Sequence, residues 1–229
     1  VYLALGNHDV AAGVGCAEGE LGEAERARLK ACLEVAHASP VWRMPARHYA
    51  VDRGPARFVV VDSNLLLGDY GGFTLDGEIA FVRAAAAGCR ERPCFLVAHH
   101  PPATAGSHLR EGGAAWRARL ARLEGAAGGA LAAWIAGHDH DLQHLRAAAG
   151  YDVLVSGNAS RARPRERFEA AAPPGASLLF ASTAWGWLEL EAWAGGWGAR
   201  FVAWDGAPLH CCQAAFPGRC EPVACAGVP

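Results

Sequence analysis

Several things are missing from this sequence, and each absence narrows what the chain can be. No stretch of about 18 or more consecutive apolar residues occurs, which excludes a spanning helix. No charged segment followed by an apolar core opens the chain, and its first residue is Val1 rather than Met, so the expectation is that the true N-terminus and any targeting signal lie upstream. Neither sign of charge dominates: 21 Lys and Arg face 23 Asp and Glu, a formal net charge of −2. Such a balance supplies no basic field for nucleic acid or an acidic membrane surface, so neither is an expected partner. None of the eight cysteines forms a C-x-x-C pair. A zinc knuckle is therefore a poor fit, and disulfides are favoured over metal, with free thiols as a third option. Internal repeats are also absent.

What is present suits one globular domain. At 229 residues and 52% hydrophobic, the chain can bury a sizeable core. Apolar runs at Val1–Leu5, Arg57–Val61, Pro93–Ala98, Ala130–Ala136 and Tyr151–Val155 read as strands. Helical spacing marks Glu18–His37, Thr74–Arg90 and Gly112–Ala127, the last with Trp116, Leu120 and Leu123 on one side. From Leu178 onward the pattern alternates in period two with turns at Gly195–Gly196 and Asp205–Gly206, which predicts strands alone. Between these halves lies a polar, proline-bearing loop, Arg161–Gly175. The fold class is α/β with mixed sheets. Cys211, Cys212, Cys220 and Cys225 gather in a tail, residues 206–229, and point to an oxidising compartment.

Chemistry-bearing residues sit where the strands end. Gly6-Asn7-His8-Asp9, His99-His100-Pro101-Pro102 and Gly137-His138-Asp139-His140 each follow an apolar run. In an α/β sheet the carboxyl ends of neighbouring strands meet at one edge, where ligands bind. Imidazoles joined by an amide oxygen suit a transition metal better than Ca²⁺ or Mg²⁺. In extended backbone, residues two apart share a side, so His138 and His140 can face a metal together while Asp139 turns away.

The blocks "GNHD", "VAHHPP" and "GHDHDLQH" resemble the third, fourth and fifth metal-binding blocks of the calcineurin-like metallophosphoesterases. The spelling of the last is closest to the tartrate-resistant, purple acid phosphatase branch. The resemblance extends to about Asp205 and includes "HYAVD", "RFVVVDS" and "VLVSGNAS". It implies a four-layer α/β/β/α sandwich over residues 1–205 with a dinuclear centre, iron paired with Fe, Zn or Mn. Carried over by position, Asn7, His100 and His138 would hold the divalent second metal and His140 the first. His8 would contact the substrate phosphate, with Asp9 fixing its tautomer. His108 would help the leaving group depart. His99 would pack or hydrogen-bond, and His37, His48, His144 and His210 would be structural or exposed.

Two earlier blocks that the family requires, Asp-x-His and Gly-Asp-x-x-Tyr, are absent. The Gly68-Asp69 pair follows "GNHD" and is continued by "YGGF", which puts a tyrosine at the wrong step. The expectation is an N-terminally truncated piece of a metal-dependent phosphomonoester hydrolase, binding at most about one divalent metal weakly and by itself inactive. Its substrate in the complete protein would be a phosphorylated small molecule or a phosphoprotein. Two alternatives are a non-catalytic remnant of the fold acting as a binding module and a phosphodiesterase on the same metals. The cysteine tail and the family suggest the secretory pathway, to which the triplet Asn158-Ala159-Ser160 adds a possible glycosylation signal.

Overall fold

A computed structural model describes residues 1–10, 31–37, 39–108, 113–159 and 175–226. The expected helix over Glu18–His37 lies outside these residues except for a helical stretch at 31–36, and the Arg161–Gly175 loop lies outside them up to its last residue.

Seven strands form one sheet: β1 (Tyr49–Arg53), β2 (Ala56–Val60), β3 (Cys94–Val97), β4 (Ala133–Ala136), β5 (Leu142–Arg146), β6 (Asp152–Ser156) and β7 (Ser177–Ser182). Their order is β1-β2-β3-β4-β6-β5-β7. The central four, β2, β3, β4 and β6, run parallel, whereas β1 and the β5–β7 pair add on antiparallel. Parallel neighbours need long crossovers. Helices α2 (Leu75–Ala86) and α3 (Gly113–Ala127) lie in two of them, and a one-turn helix α1 (Asn7–Val10) precedes the sheet.

Because side chains alternate along a strand, each central strand serves two cores. Val59, Leu96, Trp134, Val153 and Val155 face α2 and α3, meeting Leu75, Ile79, Val82, Leu120 and Leu123. Their neighbours Phe95, Ala133 and Leu154 face the other way, onto Trp197, Phe201 and Cys212. Those partners belong to a second, antiparallel sheet of β8 (Gly186–Trp193), β9 (Gly196–Ala203), β10 (Pro208–Ala215) and β11 (Glu221–Val223). Three layers are thus present among the described residues: helices, the seven-stranded sheet and the four-stranded sheet. A helical layer outside the smaller sheet, which a four-layer sandwich requires, is not among them.

The cysteine-rich tail supplies β10 and β11. Cys212 bridges Cys220 within the core between the sheets, Cys211 bridges Cys225, and Cys89 bridges Cys94. Three disulfides fit an extracellular or secretory environment. No described helix is long and apolar enough to cross a membrane.

Val1–Leu5 departs from the strand expected of it. The segment is extended but makes only a bridge between Tyr2 and Arg43. That bridge pairs the Leu3 N–H with the Arg43 carbonyl at 3.2 Å and the Arg43 N–H with the Val1 carbonyl at 2.9 Å. It stops there because Pro45 has no N–H to offer the Leu3 carbonyl, which accepts instead from the Tyr49 hydroxyl at 2.8 Å. Apolarity still buries Leu5 completely, against Met44, Tyr49 and Val60.

Candidate metal centre

The parallel strands all point their carboxyl ends at one edge. β2 runs into Asp62-Ser63-Asn64, β3 into His99-His100, β4 into Gly137-His138-Asp139-His140, and β6 into Gly157-Asn158. One ring nitrogen from each of His99, His100 and His138 lies within 4.8 Å of the other two. His99 Nε2 is 2.8 Å from Asn7 Oδ1 and 3.1 Å from His138 Nδ1. His100 Nδ1 is held 2.9 Å from Ser63 Oγ, which leaves Nε2 as its ligating atom.

Burial, reinforced by the neighbouring imidazoles, lowers the pKa of His99 to about 4 and that of His100 to about 3. A hydrogen bond to the Ser63 backbone opposes the shift at His100 without reversing it. Both rings are therefore neutral near pH 7, the form in which imidazole binds metal. Ligands on a tetrahedral ion with bonds of about 2.0–2.1 Å stand roughly 3.4 Å apart. The His99–His138 contact is already at that scale, so the donor set fits one transition-metal ion.

Carboxylates are missing from this group because the buried ones are occupied. Asp62 accepts from Arg47 at 3.1 Å, from the Asn64 N–H at 3.1 Å and from the Tyr70 hydroxyl. Burial, then Asp62, raises the Tyr70 pKa far above its ordinary value and keeps that hydroxyl a donor. Glu78 accepts from Arg47, and from the Asp62 N–H at 2.9 Å. His48 Nδ1 also lies 2.8 Å from Glu78, while its ring stacks on Phe81.

The structure brings Asn7, His100 and His138 together and adds His99, which hydrogen-bonds Asn7 as the sequence allows and also joins the imidazole group. His140 is not a member of the three-imidazole group. His8 is exposed on α1, and Asp9 accepts from the Gly6 N–H at 2.7 Å. His108 lies against the cluster, its ring centroid 4.0 Å from that of His138. His144 and His210 are structural: His144 Nε2 lies 3.0 Å from Asp152 and its Nδ1 2.9 Å from His210, whose ring stacks on Phe180. Asn158 is buried with its amide donating to the carbonyls of Thr183 and Ala184, so the folded chain does not offer it as a glycan acceptor.

The stretch after β4 splits its side chains between two neighbourhoods. His138, in the left-handed region at φ 66°, faces the imidazole cluster. Asp139 and Gln143 face the loop over residues 104–108 instead. Asp139 is fully buried and accepts from the Thr104 hydroxyl, from Ser107 Oγ at 3.1 Å, and from the backbone N–H and ring Nδ1 of His108 at 3.1 and 2.6 Å. Gln143 accepts from the Ala105 N–H at 2.8 Å and donates to Asp141 at 2.8 Å. Two glycines permit this packing. A Cβ on Gly106 would stand 2.6 Å from Asp141 Oδ2 and 2.9 Å from both Asp139 and Gln143, and one on Gly157 would stand 1.9 Å from the Asp139 carbonyl oxygen.

No protein-family model matches the sequence, and no curated protein matches it. Among solved structures, the purple acid phosphatase PPD1 of yellow lupin (Lupinus luteus) seeds superposes with a TM-score of 0.65 at 16% identity, covering 93% of this chain and 40% of that one. What is shared is the fold. GAP50, the anchor in the inner membrane complex of Plasmodium, superposes with a TM-score of 0.59 at 15% identity, covering 78% of this chain and 57% of its own. The chain thus spans roughly half the length of these neighbours, or less. One of them is an enzyme and the other is described as an anchor.

Proposed function

We propose that the chain carries part of the active centre of a metal-dependent phosphomonoester hydrolase. The observation behind this reading is the meeting of His100, His138 and Asn7, with His99 among them, at the carboxyl edge of the parallel strands. A divalent ion bound there supplies Lewis acidity, polarising phosphoryl oxygens and making hydroxide available near neutral pH. The protein's part is to hold and orient. His100 presents a neutral nitrogen, His138 a second imidazole, Asn7 an amide oxygen, and His140 a further imidazole for a second ion whose remaining ligands this sequence does not contain. His8, exposed on the one-turn helix beside the cluster, is placed to hydrogen-bond a phosphate oxygen. His108 supplies the proton that a departing alkoxide needs.

GAP50 favours a second reading, a binding module that keeps the fold without hydrolysis. Metal content and turnover separate the two. Elemental analysis of the purified chain should find about one divalent ion or fewer, because three imidazoles make one site. Two tightly held ions would overturn the ligand assignment. Hydrolysis of p-nitrophenyl phosphate in preference to bis(p-nitrophenyl) phosphate by a metal-loaded chain that also contains the two missing blocks supports the hydrolase. Metal binding with no hydrolysis, in a chain that also contains the two missing blocks, supports the module.

A further inference from the structure

Asp139 lies between two candidate ligands, yet its carboxylate is spent on one loop. Among the described residues its four donors, the Thr104 and Ser107 hydroxyls, the His108 N–H and His108 Nδ1, come from residues 104–108. A carboxylate only accepts, so a hydrogen of the His108 ring must sit on Nδ1. The proton handed to a departing alkoxide is then a second one carried on Nε2, and giving it up leaves the neutral ring in its Nδ1–H form. The same loop is gripped at Ala105 by Gln143, which is in turn held by Asp141. The His108 ring then lies beside His138 at 4.0 Å between centroids.

We propose that Asp139, backed by Asp141 and Gln143, is a positioning residue that seats the 104–108 loop and fixes the tautomer of His108, aiming Nε2 at a phosphate ester held at the imidazole cluster. This deepens the hydrolase reading and rests on it for the substrate. Asp139 touches no reacting atom and works through His108. The bend at His138, with its left-handed backbone, lets one short segment do both tasks, with His138 on the metal side and Asp139 and Gln143 on the loop side.

Two measurements test the proposal, one of them independent of activity. Imidazole ¹⁵N NMR of the metal-free chain should show His108 as the Nδ1–H tautomer, and Asp139→Asn, whose single oxygen cannot serve four donors, should shift it toward a mixture. An unchanged tautomer overturns the proposal even if the protein is inactive, in which case the hydrolase reading has failed separately. In a metal-loaded chain that also contains the two missing blocks, Asp139→Asn should lower kcat for an alkyl phosphate about tenfold or more while changing p-nitrophenyl phosphate turnover little, since nitrophenolate leaves unaided. Combined with His108→Ala, it should add nothing further, because both changes remove one function. Losses that multiply in the double variant would show that Asp139 acts otherwise than through His108. Should Asp139→Asn fail to fold, Gly106→Ala disturbs the same seat from the loop side and must give the same substrate dependence and the same tautomer change.

Discussion

A single imidazole at this sheet edge has one of several jobs, and its neighbours decide which. His100→Ala removes a ring held from behind by Ser63 and should cut metal affinity by at least the 10- to 100-fold typical of lesser changes around a metal site. His8→Ala, on an exposed residue outside the three-imidazole group, should leave affinity unchanged. Titration with Zn²⁺ checks both, and loss of metal in the His8 variant would refute its assignment to the phosphate. Gly157→Ala places a methyl into the Asp139 carbonyl. The turn after β4 must then shift, and both melting temperature and metal affinity should fall. His138 was legible in the sequence because a glycine-led turn at the end of an apolar run announces it, whereas the alternation that paired it with His140 does not hold in the bent chain there. His99 was not, since two adjacent residues in extended chain point apart. The strand stops at Val97, the backbone bends at His99 and His100, and the rule lapses there.

At the level of the elements, what the sequence showed was the apolar part. The parallel strands β2, β3, β4 and β6 stood out because strands buried on both faces are runs of large apolar residues. β5 did not, since its centre is Gln143-His144, polar residues that are fully buried only because Ala105, Asp141, Asp152 and His210 satisfy them. Helix α2 starts where Thr74 Oγ1 accepts the Gly77 N–H at 3.2 Å, so Thr74→Ala should cost about 1 kcal/mol in urea unfolding. Asp69 accepts the Leu75 N–H at the same end and keeps the loss near that size. The disulfides should open in order of exposure. Cys32 is a free, exposed thiol and should alkylate at once. Under mild reduction Cys211–Cys225 should follow, because Cys225 is part-exposed, whereas Cys212–Cys220 and Cys89–Cys94 are buried and should react only on unfolding. Mass spectrometry of the alkylated species gives that order directly.

Taken whole, the molecule carries an acid sensitivity that no one residue makes obvious. Burial, in each case the first cause, pushes His99 to about 4, His100 to about 3 and His210 to about 4. In the unfolded chain these side chains take up protons as the pH falls through about 6.5, while the folded chain refuses them until pH 4 or below. The stability of the metal-free fold is therefore complete above about pH 6.5 and drains away between pH 6.5 and 4. Urea midpoints at pH 7, 5.5 and 4.5 should decline in that order, and a constant midpoint would refute the account. The α/β class with mixed sheets was legible because apolar runs trade places with helical patterns along the chain, whereas the layers came only from the family resemblance. The seat of His108 was not legible, since it depends on a loop whose reach no local pattern specifies. The segment from Gly137 to Gln143 carries two instructions in one string, one read at His138 and the other at Asp139 and Gln143. Swapping a letter damages one message. Inserting or deleting a single residue would pull His138 out of step with Asp139 and spoil both at once, so in descendants of this chain the spacing should prove less negotiable than the spelling.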